Sequence, residues 1–345
     1  MTAIHTANHR VAIIGAGMAG LSAGHALKSS GWDVELFDKG RSPGGRVATR
    51  RQDIDGNPVS FDHGARFITS PDQEFSRFLE PMIESGLLQR WTGRLGAWNG
   101  ASIDAIVDNE TRLVGVPGMS ALPKFLAGGQ TIHCSAKVSR IQESHPSKWR
   151  LVLDSGQIFG EFDAVIVAVP DAQTRDLMHS SGLTDALQKL PPAVLTPCWT
   201  VMLAYTKPVT LNFDAITCSK GPFDWIIRNS SKPQRHQGLD TWVLQLDAQT
   251  SAEHLEDEKQ EMARLALDVA CQMAPEFTHT KPVLMDSHRW RFALTPQSLV
   301  PSVSESRSMY LADLKIGFCG DWLGGGQIAA AWRSGLDLAG KLLKT

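Results

Sequence analysis

Val11-Ala12-Ile13-Ile14-Gly15-Ala16-Gly17-Met18-Ala19-Gly20 is the stretch whose reading decides the fold. Its first four residues form a short apolar run of the kind a parallel sheet buries on both faces. Glycines at 15, 17 and 20 follow at once, and residues 19–29 then read as a helix that Gly31 stops. Val34-Glu35-Leu36-Phe37 is a second strand, ending at Asp38. Strand, glycine turn, helix and strand make a βαβ unit, and G-x-G-x-x-G in that setting is the dinucleotide fingerprint. Gly15 permits the tight turn, Gly17 lets backbone approach a pyrophosphate, and Gly20 lets helix pack on strand. The helix start supplies free N–H groups and about half a positive charge for the phosphates. Asp38, about 18 residues beyond Gly20, is placed to accept both hydroxyls of an adenosine ribose. The fingerprint alone does not choose between NAD and FAD.

The chain has 345 residues, a length for about two domains. A net charge of −2 and a pI near 6.6, with no run of like charges, argue against a nucleic-acid surface. The cysteines at 134, 198, 218, 271 and 319 are odd in number and scattered. They read as free thiols in a reducing compartment rather than as a disulfide framework or a zinc site. No apolar stretch reaches the roughly 18–20 residues of a membrane span. Residues 11–26 imitate a signal peptide, but cleavage near Ala23 would destroy the glycine pattern. The expectation is an uncleaved cytoplasmic protein without a membrane partner; the oligomeric state is left open.

Beyond the βαβ unit, residues 71–116 carry many turn formers, and Pro117-Gly118-Met119 opens a helical stretch through Leu126. Residues 137–142 and 149–153 alternate like paired strands, with Ser155-Gly156 as a turn. Residues 163–169 form a buried strand that Pro170 ends. Residues 199–205, 225–228 and 242–246 read as strands of a second sheet. Residues 252–273 read as one amphipathic helix, with Leu255, Met262, Leu265, Val269 and Met273 on a shared face and Pro275 closing it. A last strand at 315–319 leads through Gly320-Asp321 and a glycine cluster into a helix over 327–343.

Three further segments choose the cofactor. Arg41-Ser42-Pro43-Gly44-Gly45-Arg46 resembles the Gly-Gly-Arg signature of the flavin amine-oxidase superfamily. Gly317-Phe318-Cys319-Gly320-Asp321-Trp322, with Gly324-Gly325-Gly326-Gln327-Ile328 after it, resembles that superfamily's closing motif. Phe61-Asp62-His63-Gly64-Ala65-Arg66-Phe67 matches it as well. The resemblance covers nearly the whole chain, is thinner in the middle, and is greatest to the bacterial renalases.

The resemblance implies an α/β fold: a Rossmann-type FAD-binding domain with a second, α+β substrate domain of the amine-oxidase and p-hydroxybenzoate-hydroxylase kind. Residues 1–70, 117–170 and 309–345 are expected in the first, and 71–116 with 171–308 in the second. It assigns FAD contacts to Gly15, Ala16, Gly17, Met18, Ala19, Gly20, Asp38, Lys39, Arg41, Gly45 and Arg46. His63, Gly64, Ala65, Arg66, Val138, Gly320, Asp321, Gln327 and Ile328 complete that set. In it Arg46 lies against the pyrophosphate, where a guanidinium offers bidentate bonds. Val138 reads the adenine end through its backbone, Asp321 holds a ribityl hydroxyl, and the helix start at Gln327 faces the flavin N1/C2 carbonyl. Gly64 and Ala65 allow close approach to the ring.

The substrate-pocket candidates are His63, Trp225, Trp290 and Arg291. His63 could donate to flavin or substrate, or be a structural histidine. Asp286-Ser287-His288-Arg289-Trp290-Arg291-Phe292-Ala293 is dense in aromatic and basic residues, with core Trp and surface Arg the competing reading. No second G-x-G-x-x-G is present to hold a separate NAD(P)H, and neither a metal site nor a serine nucleophile is expected. Cysteine is absent from 289–301, near where covalent-flavin relatives carry theirs, so FAD is expected to be non-covalent. The resemblance implies an oxidase converting 2- and 6-dihydro isomers of NAD(P) to NAD(P)+, with O2 reduced to hydrogen peroxide. A flavin-dependent amine oxidase and a flavin-binding module without turnover are the alternatives.

Overall fold

The computed structural model describes residues 9–192, 195–236, 238–296 and 307–345. Met1–Gly45, Pro123–Leu195 and Thr295–Thr345 make one compact unit, and Arg46–Leu122 with Thr196–Leu294 make the other. Packing thus divides the chain differently from the sequence expectation. Residues 46–70 fall in the second unit, because Val59 and Phe61 are buried with Met202, Ala204 and Val243. Residues 171–192 fall in the first, where Leu177 and Met178 share a core with Ile141 and Leu151. The expected domains also took in residues 1–8, 193–194, 237 and 297–306, which lie outside the described residues.

The first unit is built on a six-stranded sheet. Across it run Ser308–Leu311, Ile316–Cys319, Ala164–Val167, Arg10–Ile14, Asp33–Phe37 and Thr131–His133. All neighbours are parallel except the first pair. Ile14 aligns with Phe37 on one side and Val167 on the other, so the carboxyl ends of three central strands end level. Ligands of open parallel sheets bind at such ends. The α/β, Rossmann-like class is therefore as expected. Val138–His145, Lys148–Leu153 and Ile158–Phe162 form a separate antiparallel sheet, with Ser155-Gly156 turning the second strand into the third.

Helices Met18–Ser29 and Gln327–Leu342 pack against each other through Gly335. A Cβ there would lie 2.1 Å from Ser22 Oγ and 2.2 Å from the Ala19 carbonyl oxygen. No side chain fits that gap.

The second unit is built on a seven-stranded sheet. Its order is Leu284–Leu294, Thr196–Tyr205, Asp240–Leu246, Phe223–Arg228, Ala215–Cys218, Leu95–Trp98 and Ile103–Ile106. The three strands expected of a second sheet are neighbours in it. Helix Lys259–Met273 covers one face, burying Met262, Ala263, Ala266 and Ala270 with Trp199, Leu203, Trp242 and Leu244.

Three expected elements differ. The helix over 252–273 is two, Ala248–Glu253 and Lys259–Met273, with Leu255 between them. His254 Nδ1 pairs with Asp257 Oδ2 at 2.6 Å across the break, and Glu256 turns out to meet two arginines of the neighbouring strand. The helix expected from Pro117 begins at Ala121, because Met119 N donates to Asp62 and Ser120 N to Thr49. Residues read as loose hold a helix, Gln73–Glu84, capped by Asp72, whose side chain accepts from Phe75 N. Among the described residues no helix is long and apolar enough to cross a membrane.

Two glycines of the closing helix should respond in opposite directions. Gly335→Val is expected to cost about 3 kcal/mol or more through overpacking. Gly340→Ala, where an added Cβ meets nothing within 4 Å, should stabilise by about 0.5–1 kcal/mol. Thermal unfolding of the two variants checks the pair.

Candidate functional site

In the first unit the fingerprint glycines do different work. Gly15 has φ +105°, and a Cβ there would lie 2.7 Å from the Ala168 carbonyl oxygen. A Cβ on Gly20 would lie 2.0 Å from the Gly15 carbonyl oxygen. Both glycines are demanded by the protein's own backbone. At Gly17 an added Cβ would meet nothing within 4 Å. Gly17 is the N-cap of Met18–Ser29 and gives that helix no side-chain cap, so the first-turn N–H groups at Met18, Ala19 and Gly20 have no partner from it. Gly44 N donates to the Ala16 carbonyl at 2.8 Å, which brings the Gly44-Gly45 turn onto the same loop.

Asp38 accepts from Ala16 N at 2.7 Å on one oxygen and from Gly40 N at 2.6 Å on the other. A carboxylate offers about four lone-pair positions, so two remain for hydroxyls. Lys39 reaches Gln173 at 3.0 Å, and burial pushes its ammonium pKa down. Arg41 is exposed, and Val138 pairs with Leu153.

At the far end Gly320 N donates to Ser334 Oγ at 2.9 Å, and Asp321 is buried. Gly326 (φ +80°) and Gln327 (φ +68°) then start the second long helix, again without a side-chain cap. A left-handed conformation at a glutamine is costly and is kept where local geometry requires it. Open space at Gly17, two uncapped helix starts and a half-used carboxylate fit the phosphates, ribose and polar ring edge of FAD.

Gly20-Leu21-Ser22-Ala23-Gly24 does carry the G-x-S-x-G spacing of a nucleophile elbow. Ser22 is buried mid-helix, within hydrogen-bonding distance of the Ala19 and Trp332 carbonyls, and so serves packing.

In the second unit residues 61–67 are held from several sides. A Cβ on Gly64 would lie 1.9 Å from the Arg46 carbonyl oxygen, to which Ala65 N donates at 2.9 Å. Gln245 donates to the Gly64 carbonyl at 2.7 Å and Trp290 to the His63 carbonyl at 2.8 Å. Arg46, expected at a pyrophosphate, donates from Nη1 to the Ala293 carbonyl at 2.8 Å.

Asp62 anchors this segment. Its Oδ1 accepts from Thr49 Oγ1 at 2.8 Å and Met119 N at 2.9 Å; its Oδ2 meets Lys232 at 3.0 Å and Arg235 at 2.6 Å. All three charged side chains are essentially unexposed. Burial alone would raise the Asp62 pKa, but the two cations outweigh it and bring it to about 2. Lys232 also donates to the Arg66 carbonyl at 2.8 Å.

The pocket candidates fall into three places. His63 lies beside Trp290, ring centroids 5.2 Å apart, with His288 edge-on to both. Trp225 lies with Phe67 and beneath the Arg66 guanidinium, which pairs with Asp224 at 2.9 Å. Arg291 is elsewhere: it makes two bonds, 2.7 and 2.8 Å, to Glu256, with side chains 42% and 71% exposed. Neighbouring residues of a strand point to opposite faces, which separates Trp290 and His288 from Arg291 and Arg289. That alternation was available in the sequence. His288, Arg50, Lys232 and Arg235 were missed there, and the ion partner of the last two is more than 160 residues away.

Two substitutions test these assignments. Asp62→Asn leaves two buried cations without a counter-charge and is expected to cost about 3–5 kcal/mol. The contribution of that carboxylate is present above its ordinary value of 3.8 and is lost as pH falls through about 2, so the variant and the parent should converge only in strong acid. Gly17→Ala should keep the stability of the flavin-free chain within about 1 kcal/mol. It should nevertheless lower flavin retention on gel filtration, because the space it fills is empty of protein.

Comparison with known proteins agrees with this geometry. A model of the flavin containing amine oxidoreductases matches residues 94–343, and one of NAD(P)-binding Rossmann-like domains matches residues 13–81. An L-amino-acid oxidase of Pseudechis australis is 49% identical over 80 residues, 22% of this chain and 16% of that protein. A hydroxyneurosporene desaturase of Rubrivivax gelatinosus is 47% identical over 51 residues, 15% of this chain. These matches span only 9–16% of the relatives' own lengths. A crystal structure of a protein assigned as a protoporphyrinogen oxidase, from Exiguobacterium sp. 255-15, has a TM-score of 0.75 at 12% identity, covering 98% of this chain and 99% of that one. At such identity the likeness shows the fold. The cofactor is FAD, bound non-covalently. The match over most of its length places this chain in the family of flavin containing amine oxidoreductases, as a flavin-dependent oxidoreductase.

Proposed function

We propose that the chain is an FAD-dependent oxidase of 2- and 6-dihydro isomers of NAD(P), returning them to NAD(P)+ while O2 is reduced to hydrogen peroxide. One observation carries this reading: among the described residues, the aromatic cluster beside residues 61–67 has no acid or base free to handle a substrate proton. Burial, with Arg50 nearby, pushes His63 and His288 down to about 4. Imidazoles so weakly basic cannot hold the proton an alkylammonium must shed. Asp62, Asp224 and Asp286 each face a cation already, so none is left to anchor an ammonium. Lys232 is locked between Asp62 and the Arg66 carbonyl.

A dihydropyridine asks for none of this. Loss of hydride from a ring carbon gives an aromatic pyridinium directly, with no proton to abstract. FAD held there would supply the hydride acceptor and the route by which the electron pair reaches O2. What this chain must supply is placement of a flat ring and exclusion of competitors. Trp290, with its indole N–H fixed to the His63 carbonyl, and the Phe67–Trp225 pair offer flat apolar faces for it. The FAD contacts proposed are those of the uncapped helix starts, Asp38, Arg46, residues 63–66, Val138 and Gly320-Asp321.

Anaerobic stopped-flow mixing decides among the readings. The 2- and 6-dihydro isomers should bleach the yellow protein at least roughly tenfold faster than the 4-dihydro form or benzylamine. Faster bleaching by benzylamine would select an amine oxidase, and resistance to every reductant would leave a flavin-binding module without turnover.

A further inference from the structure

We propose that His288 and His63 form a donor–acceptor pair for the carboxamide of a nicotinamide-type ring, and that Arg50 is the positioning residue that fixes His288 as the donor. The proposal rests on the oxidase reading above and goes beyond it by naming the polar group recognised and the residues that recognise it.

The tautomer of His288 follows from hydrogen-bond logic. Arg50 Nη2 lies 3.2 Å from His288 Nδ1, and a guanidinium can only donate. Nδ1 is therefore the bare nitrogen, and the proton of the neutral ring sits on Nε2. Arg50 is itself held by Asp286 at 2.5 Å, and Asp286 takes a second bond from Gln52 at 3.0 Å. Residues 286 and 288 share a face of strand Leu284–Leu294, so one guanidinium spans both side chains.

His63 is 7% exposed, and its Nδ1 is buried with no hydrogen-bond partner among the described residues. Neither its Nε2 nor that of His288 makes a hydrogen bond or is a buried orphan among those residues. These two nitrogens, on rings set perpendicular with centroids 5.0 Å apart, are the ones a ligand can reach. Trp290 lies against both rings, 5.2 and 4.3 Å away, and supplies the apolar face.

The charges facing the pair keep it neutral. His288 faces Arg50, Lys259 of the covering helix and Asp286; His63 faces His288, Arg50 and Asp62, the last already committed to Lys232 and Arg235. An uncharged donor beside an uncharged acceptor suits an uncharged group that offers both. A primary carboxamide does: its oxygen accepts from His288 Nε2–H, and its NH2 donates to His63 Nε2. A phosphate or carboxylate has no N–H to give to His63 Nε2 and would leave the acceptor of the pair unused.

The test uses the FAD-loaded protein with nicotinamide and 3-methylpyridine as probes, binding being followed by the change in flavin absorbance. His288→Phe and His63→Phe should each weaken nicotinamide about tenfold and leave 3-methylpyridine within about twofold. Equal loss of both probes, or loss of neither, overturns the proposal. Nicotinamide affinity of the parent should be flat from about pH 5 to 8, since both rings stay neutral there. Burial remains in Arg50→Met, but loss of that charge raises His288, so nicotinamide affinity should begin to change with pH at a higher pH than in the parent. That dependence should vanish in the Arg50→Met, His288→Phe double variant. An onset unchanged from the parent's in the single variant, or a persistent slope in the double, also overturns it. Colourless protein, or flavin that the dihydro isomers fail to reduce, defeats the oxidase reading. Flavin reduced by those isomers with nicotinamide affinity unchanged in His288→Phe defeats only the carboxamide pair.

Discussion

Asp62 is the fixed point of the second unit. One buried carboxylate receives Thr49 and Met119 N on one oxygen and Lys232 and Arg235 on the other, so segments distant in sequence converge on it. With four donors its acceptor capacity is filled. The burial of three charged side chains is tolerable only because every one is paired, and the pairing has to hold whatever else the unit does. Its chain neighbours inherit that rigidity. His63 begins one residue on, and Gly64 lies so close to the Arg46 carbonyl that a single added methyl would not fit.

The same count separates Asp62 from Asp38. Among the described residues Asp38 has two donors, both backbone N–H groups, and keeps half its lone pairs. A saturated aspartate explains itself as structure, whereas a half-used one beside uncapped N–H groups has chemistry to spare. The glycines sort likewise. Gly15 and Gly20 are required by backbone a few ångströms away, while nothing among the described residues requires Gly17 to lack a side chain. What remains to require it is a ligand, and the pyrophosphate of FAD is of the right charge for a helix start.

The sequence made the first unit legible because its signals are local. Strand, glycine turn, helix and acid lie within one short stretch, and each reports on its own backbone. The helix at Gln73–Glu84 was equally local, with Asp72 as cap and Phe75, Leu79 and Met82 buried along one face, but Pro81 and the surrounding turn formers masked it. The break at residues 254–258 was not local. Apolar spacing ran on through Leu255, and only the attraction of Glu256 to Arg289 and Arg291, some 33 residues later, shows why the helix yields there. Lys232 and Arg235 had no signal at all, since nothing near them in sequence announces a buried carboxylate.

Charge gives the second unit its chemical character. Around residues 61–67 the carboxylates are all paired, the imidazoles are neutral, and the buried triad carries one more positive than negative group. A surface of that kind is hospitable to neutral or anionic flat molecules and poor at relieving an ammonium of its proton. Chemistry compatible with it must move electrons without asking the protein to move a proton off the substrate. Hydride loss that ends in an aromatic cation meets that condition, because the driving force lies in the ring being formed and the protein has only to hold the ring still. Under the reading proposed above, the absence of an obvious base among the described residues, which counts against amine oxidation, is what a dihydropyridine site requires.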